Sequence, residues 1–577
     1  MSTATISGNG TETTGTRTTD GGRDFGAPLD ALLTEATYSP RQRFFAADAT
    51  LKLGTSLARQ PRTVGRRLAG LAGELGRVTV GRTALTPQRG DRRFSDSTWN
   101  QNPVFRRLMQ SYLAIGQTLD ALIQDADLDI QTERRVRFPA ENLYDALAPT
   151  NFPWSNPAAI KTAVETRGMS FVRGARQLAS DMRTPPRLPS MVDTSKFEVG
   201  KNLAATAGAV VQREDVFELI QYTPRTESVR SVPLLLVPPM INKYYVADIS
   251  PGRSLVEYLV QQGQQVFAIS WRNPEAQHAN WGIDTYAEAI LAGLDAACAV
   301  SGSEQAQMLA FCGGGIVGAC VAAHLAAKGE QDRLAGLTLG VCVLDNEQAG
   351  TTSAFVNRDA ARLALSASAR RGYLDGRALA EMFAWLRPND LIWSYVVNNY
   401  LLGQRPPAFD ILFWNQDAVR LAAGLHRDFI QIALDNPLVD PGGLDLLGTP
   451  IDLSRITVDS YVVAGIADHI TPWENCQRTT RMLGGDVRFV LSTSGHIAAI
   501  VNPPGSQKST YRVAGEEDHA DPEGWLRTTE KRPGTWWTDW DAWLAKRSGP
   551  MRPAPKSLGN RKYKAAGRAP GTYVLAK

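Results

Sequence analysis

The chain has 577 residues, 43% of them hydrophobic and 21% charged, with a formal net charge of +4. This length allows roughly two to four domains around a large core, and so small a charge does not mark a nucleic-acid binder. Five cysteines (Cys298, Cys312, Cys320, Cys342, Cys476), odd in number and without CxxC spacing, suggest neither a disulfide framework nor a zinc site and fit a reducing cytoplasm.

Residues 1–24 are rich in Thr and Gly and lack an apolar core, so no secretion signal is expected there. The segment 1–40 is expected to lack order. Over 41–85, Leu51, Leu53, Leu57, Val64, Leu68, Leu71 and Leu75 recur at helical spacing among arginines. An ordinary amphipathic helical pair is the preferred reading, and adhesion to a hydrophobic or anionic surface is the alternative. The whole of 41–196 reads as a mostly helical domain. No apolar run anywhere reaches the ~18 residues of a transmembrane segment.

From Phe197 the pattern alternates. Strands are expected at Val232–Val237, Gln265–Ser270, Met308–Phe311 and Leu334–Leu344, and helices at Ser254–Gln262, Thr285–Val300 and Ile316–Lys328. Such alternation implies a parallel sheet covered by helices on both faces. The aromatic- and Asn-rich stretch 347–440 breaks it and is expected to be a helical cap insertion. Strands resume at Ser460–Ile466 and Val487–Leu491. The tail 546–577 carries nine Lys/Arg and no acid, and is expected to run extended over the surface of the domain 197–577.

Met308-Leu309-Ala310-Phe311-Cys312-Gly313-Gly314-Gly315 reads as a strand, a nucleophile elbow and a helix start, with Cys312 in the usual serine position. A buried structural thiol before a glycine turn explains this segment alone equally well. Strand order separates the two readings. Asp468 follows the strand ending near Ile466, and His496 follows the strand ending near Leu491. Cys312, Asp468, His496 is therefore the nucleophile–acid–base order of the α/β-hydrolase fold. His496 would take the thiol proton and Asp468 would hold the imidazole. His469 is read as a loop residue, His278 as structural, and Asp345 as the rival acid. Oxyanion donors are expected at the Gly313 amide and at Met240 or Ile241, because Pro238 and Pro239 have no N–H.

Several stretches resemble polyhydroxyalkanoate synthases: Pro238 to Tyr245 (PPMINKYY), Ser270 to Pro274 (SWRNP), Asn389 to Leu401, Ala467 to Trp473 (ADHITPW), Ser494 to Ile497 and Asn502 to Pro504, together with Asp91 to Phe94, Trp99, Asn102-Pro103 and Phe105. The family box usually reads Gly-x-Cys-x-Gly-Gly, whereas here Ala310 takes the first place. The resemblance implies an α/β-hydrolase fold with a helical cap, and polymerisation of (R)-3-hydroxyacyl-CoA with release of CoA through an acyl group on Cys312. It implies a single-subunit type near the medium-chain-length branch, a homodimer, and a cytoplasmic protein on the polyester granule surface in contact with the growing polyester chain. No cofactor or metal is implied. A thioesterase or other acyltransferase of the same fold, and a non-enzymatic granule-associated protein, are the alternatives.

Overall fold

The computed structural model describes residues 33, 34, 36, 37, 44, 46–88, 91–347, 358–468, 470–513 and 522–577. Most of the segment 1–40 expected to lack order, part of the expected insertion (348–357), His469 and His519 lie outside the described residues. The chain divides into two compact units. One gathers the described residues of Tyr38–Asp193 and Glu381–Ala408, the other those of Gly26–Thr37, Thr194–Ala380 and Phe409–Lys577.

The first unit is helical: α1 (Ala47–Ala58), α2 (Pro61–Thr79), α3 (Pro103–Asp125), α4 (Ile130–Ala146) and α5 (Met169–Asp181). The helical pair expected over 41–85 is α1 and α2. Local chemistry sets the start of α3. The Asn102 side chain accepts from the Val104 amide at 2.9 Å, and Pro103 occupies the first helical position, where its missing N–H costs nothing. Phe94, Trp99, Met109 and Tyr112 form a buried cluster, and Tyr112 stacks on Tyr144 with centroids 4.1 Å apart. Arg93 closes this cluster through ion pairs to Asp91 and Asp145. The Glu381–Ala408 segment joins the same unit through long-range polar bonds. Tyr400 donates to Asp181 at 2.8 Å, and Asn399 donates to the Ser190 carbonyl at 2.7 Å.

The second unit is built on a sheet. In chain order it comprises β1 (Gly208–Arg213), β2 (Phe217–Tyr222), β3 (Ser228–Arg230), β4 (Leu234–Val237), α6 (Leu255–Gln261), β5 (Val266–Trp271), α7 (Ile283–Ser301), β6 (Ala306–Phe311), α8 (Gly313–Lys328) and β7 (Leu334–Gly340). It continues with α9 (Ala423–Asp435), β8 (Ser460–Gly465), α10 (Trp473–Met482), β9 (Val487–Ser492), α11 (His496–Val501), β10 (Thr510–Val513), β11 (Lys531–Pro533), β12 (Met551–Pro553) and β13 (Gly567–Arg568). Among the described residues the main sheet has eleven strands in the order β11-β10-β9-β8-β7-β6-β4-β5-β2-β1-β13. Its centre, from β5 through β4 and β6 to β9, is parallel, and its flanks are antiparallel. This is the α/β-hydrolase fold. The central strands read as nearly continuous apolar runs, interrupted only by the buried Ser270, Gln307 and Ser460, because helices cover both faces: every residue of β4, β5, β6 and β8 is buried.

Two expected boundaries move for physical reasons. The strand expected to reach Leu344 stops at Gly340, because Val341 adopts a φ of +46° and turns the chain out of the sheet. The helix expected from Ile316 begins at Gly313, so the three glycines form its first turn rather than a loop. The basic tail does run along the domain. β12 pairs with β3, β13 pairs with β1, and Val574 in the last turn is 2% exposed.

Candidate active site

Cys312 lies between the last residue of β6 and the first of α8, with φ +51° and ψ −124°. A side chain with positive φ costs of order 1–3 kcal/mol, so its surroundings must impose it. They do: the Cys312 amide donates to the Gly340 carbonyl at 3.0 Å, tying the elbow to β7. The glycines after it leave no room for a side chain. A Cβ on Gly314 would lie 2.4 Å from the Pro238 carbonyl oxygen, and one on Gly315 would lie 2.7 Å from the Cys342 sulfur. Ala310 is fully buried, and a Cβ on Gly318 would already stand 3.0 Å from the Ala310 methyl; the elbow takes this methyl in the place of the family's glycine.

Asp468 leaves β8 through a tight turn, its amide donating to the Gly465 carbonyl at 3.1 Å. Its side chain is fully buried and saturated with donors. Oδ1 accepts the amides of Ile470 (2.9 Å) and Thr471 (3.0 Å), and Oδ2 accepts the Thr471 hydroxyl at 2.5 Å and the His496 Nδ1–H at 2.7 Å. His496 opens α11 after β9. The two loops are pinned together where the Ala467 amide donates to the Ser494 carbonyl at 3.1 Å, and a Cβ on Gly465 would strike that same oxygen.

Electrostatics follow from this geometry. Burial disfavours the imidazolium of His496, but the Asp468 charge and hydrogen bond, with a smaller contribution from the Cys312 thiol, outweigh it and raise the group from its ordinary 6.5 to about 10. Burial likewise opposes the Asp468 carboxylate, yet His496 and Thr471 hold it below its ordinary 3.8. Because Nδ1 is engaged by Asp468, Nε2 is the nitrogen left for the thiol. The arrangement can hold a proton between sulfur and imidazole and stabilise the imidazolium that results.

The other candidates fall elsewhere. Burial pushes the Cys320 thiol up to about 12 and Cys298 up to about 11, and it raises Cys342 and Cys476 well above the usual range. His278 stacks on Trp281 and accepts the Glu275 amide at 2.9 Å. His426 is wholly buried against Ser368 and the Leu33 carbonyl, and burial lowers it to about 4. Asp345 pairs with Arg478 at 3.4 Å and accepts from Asn436 at 2.9 Å. Met240 and Ile241 are buried. Among the described residues, neither their amides nor that of Gly313 donates a hydrogen bond, which leaves three N–H groups on the two segments expected to form an oxyanion hole.

Two contributors were not picked out from the sequence. Thr471 clamps Asp468 with both its amide and its hydroxyl; the Asp-x-x-Thr spacing of a side-chain-capped turn is the signal that could have found it. Trp271 donates its indole N–H to the Pro238 carbonyl at 3.0 Å, and the signal there is that a buried indole needs an acceptor.

Comparison with known proteins adds independent findings. Residues 90–259 match the family model described as poly-beta-hydroxybutyrate polymerase (PhaC) N-terminus, and residues 233–503 match the alpha/beta hydrolase fold. Poly(3-hydroxyalkanoate) polymerase 2 of Ectopseudomonas oleovorans is 46% identical over 519 residues, covering 90% of this chain and 92% of that protein. The poly(3-hydroxyalkanoate) polymerase subunit PhaC of Cupriavidus necator is 40% identical over 507 residues, covering 87% of this chain and 85% of that protein. Among solved structures, a hydrolase from Pseudomonas aeruginosa PA01 aligns with 51% of this chain and 92% of its own, at 15% identity and a TM-score of 0.30.

Proposed function

The chain belongs to the poly(3-hydroxyalkanoate) polymerases, a family of transferases, and from that premise we propose that it builds its polyester from (R)-3-hydroxyacyl-CoA through an acyl group carried on Cys312. His496 takes the thiol proton and the sulfur attacks the thioester carbonyl. The oxyanion that forms is met by the amides of Gly313 and of Met240 or Ile241. As the C–S bond to CoA breaks, the His496 proton goes to the departing sulfur. A hydroxyl then attacks the Cys312 thioester, His496 receives its proton, and an ester bond replaces the bond to sulfur. Asp468 holds Nδ1 and balances the imidazolium in both halves.

The observation that carries this reading is the 2.7 Å hydrogen bond from His496 to Asp468, on loops at the ends of parallel strands of the same sheet whose strand β6 ends at the Cys312 elbow. Because the next nucleophile must be an alcohol, the site has to exclude water. Cys312 is 4% exposed and the Phe429 ring lies 3.2 Å from where a Cβ on Gly313 would stand, which supports a dry site. We further propose a cytoplasmic protein on the granule surface, acting as a homodimer. The helical unit exposes Val104, Trp154 and Val164 at 70–75%, apolar side chains that polyester could contact. Among the described residues no helix is long and apolar enough to cross a membrane.

The test is purified protein with 3-hydroxyacyl-CoA of several chain lengths, following CoA release and polymer together. Both are expected, and both are lost in Cys312→Ala. CoA release without polymer would make the chain a thioesterase, and turnover by Cys312→Ala would remove the covalent step.

A further inference from the structure

Lys243 ends the loop that carries Met240 and Ile241, and its ammonium is buried at 4% side-chain exposure. An amine in such a place must be paired and hydrogen-bonded. One partner is Asp417, 2.7 Å away, whose other oxygen accepts the Tyr245 hydroxyl at 2.8 Å. The second partner is the carbonyl oxygen of Val574, 2.6 Å away and three residues from the end of the chain. The Lys243 carbonyl in turn accepts the Trp414 indole at 2.8 Å. At its other end the same loop is held by Trp271 on the Pro238 carbonyl.

The last turn is itself anchored. The fully buried Glu218 carboxylate on β2 accepts the Thr572 amide (2.8 Å), the Thr572 hydroxyl (2.8 Å) and the Tyr573 amide (2.9 Å). Gly571, at φ +81°, makes this seat accessible, since a Cβ there would lie 2.3 Å from Glu218 Oε2. A stretch that composition marks only as a basic tail therefore ends in a fixed carbonyl aimed at a buried cation of the oxyanion loop.

We infer that Lys243 is a positioning residue for acyl transfer and that the carboxy-terminal turn is part of the active-site scaffold: Val574, held by Glu218, and Asp417 together fix the Lys243 ammonium and so the amides of Met240 and Ile241. This deepens the proposed thioester chemistry and rests on that reading. Losing either partner leaves the nucleophile, base and acid in place but lets the donor loop shift.

The experiment compares two rates in the full-length enzyme, in Lys243→Met, in a chain ending at Gly571, and in the combination of the two changes. One rate is single-turnover acyl loading from 3-hydroxyacyl-CoA, which needs the oxyanion donors. The other is alkylation of Cys312 by iodoacetamide, which creates no oxyanion. Both single changes should slow loading about 10- to 100-fold, the scale of a 1 Å misplacement, while alkylation stays within about twofold of wild type. The combination should be no slower than the worse single change, because the two act through one contact. If the unpaired Asp417 carboxylate unfolds Lys243→Met, adding Asp417→Asn removes that charge and carries the same expectation. Loading at the wild-type rate in either single variant, alkylation falling in step with loading, or losses that multiply in the combination would each overturn the inference. Failure of the wild-type chain to load Cys312 at all would instead remove the underlying reading.

Discussion

Asp345, just beyond β7, and Asp468, just beyond β8, stand on loops at the same edge of neighbouring parallel strands. Both are shielded, with side-chain exposures of 13% and 0%. What separates them is the partner each meets. Asp345 is occupied by Arg478, the Asn436 amide group and the Glu347 amide, a permanent cation and two neutral donors. Asp468 meets His496, the one partner that can gain and lose a proton during a reaction. In the proposed mechanism a strand-end carboxylate serves catalysis through the group opposite it, and burial alone does not separate the two aspartates.

The largest effect expected from this comparison is on the Asp468 side. His496→Ala should lose at least 1,000-fold in CoA release, as completely as removal of Cys312, because base and nucleophile act as one unit. Asp468→Asn should lose about 100- to 10,000-fold, since the amide cannot stabilise the imidazolium and disturbs its tautomer. Steady-state CoA release measures both, and a fully active Asp468→Asn would reverse the roles of the two aspartates. Thr471→Val keeps the shape and the backbone clamp but removes the hydroxyl bond. A neutral-donor bond to a carboxylate of about 1.5 kcal/mol corresponds to a loss of roughly 10-fold. Asp345→Asn should stay within about twofold of wild type, and a loss comparable with that of Asp468→Asn would collapse the distinction.

Stability should distinguish the two loops as well. The raised His496 group contributes stability that is fully present below pH 6.5 and is lost as the pH climbs through about 10. The lowered Asp468 group contributes above pH 3.8 and loses its share as the pH falls below that. Asp468→Asn should therefore lower the Tm more at pH 6 than at pH 10, whereas Asp345→Asn should show no such dependence. Thermal denaturation at the two pH values checks it, and an equal drop at both would mean that the His496–Asp468 pair carries no charge in the folded protein.

How much of this the sequence discloses depends on how local the signal is. The Cys312 elbow is legible because strand, thiol and glycines are contiguous, and Asp468 and His496 are legible because each follows a strand in a fixed order. Val341 is not legible, since nothing in Gly340-Val341-Cys342 signals a positive φ; its amide is held instead by the distant Val463 carbonyl at 2.8 Å. The Glu381–Ala408 segment reads as part of one continuous insertion, yet its partners, such as Asp181 for Tyr400 and Arg173 for the Gly403 carbonyl, lie more than 200 residues away. The bond from Lys243 to Val574 spans 331 residues and ends on a backbone oxygen, which no side-chain pattern can encode.

The central claim, that growth of the polyester passes through a thioester on Cys312, is tested most directly by intact and peptide mass measurement after a single turnover with one equivalent of 3-hydroxyacyl-CoA. The account predicts one acyl group per chain, on the peptide containing Cys312, formed in step with CoA release and absent from Cys312→Ala. CoA release with no adduct, or an adduct on Cys298, Cys320, Cys342 or Cys476 instead, would contradict it.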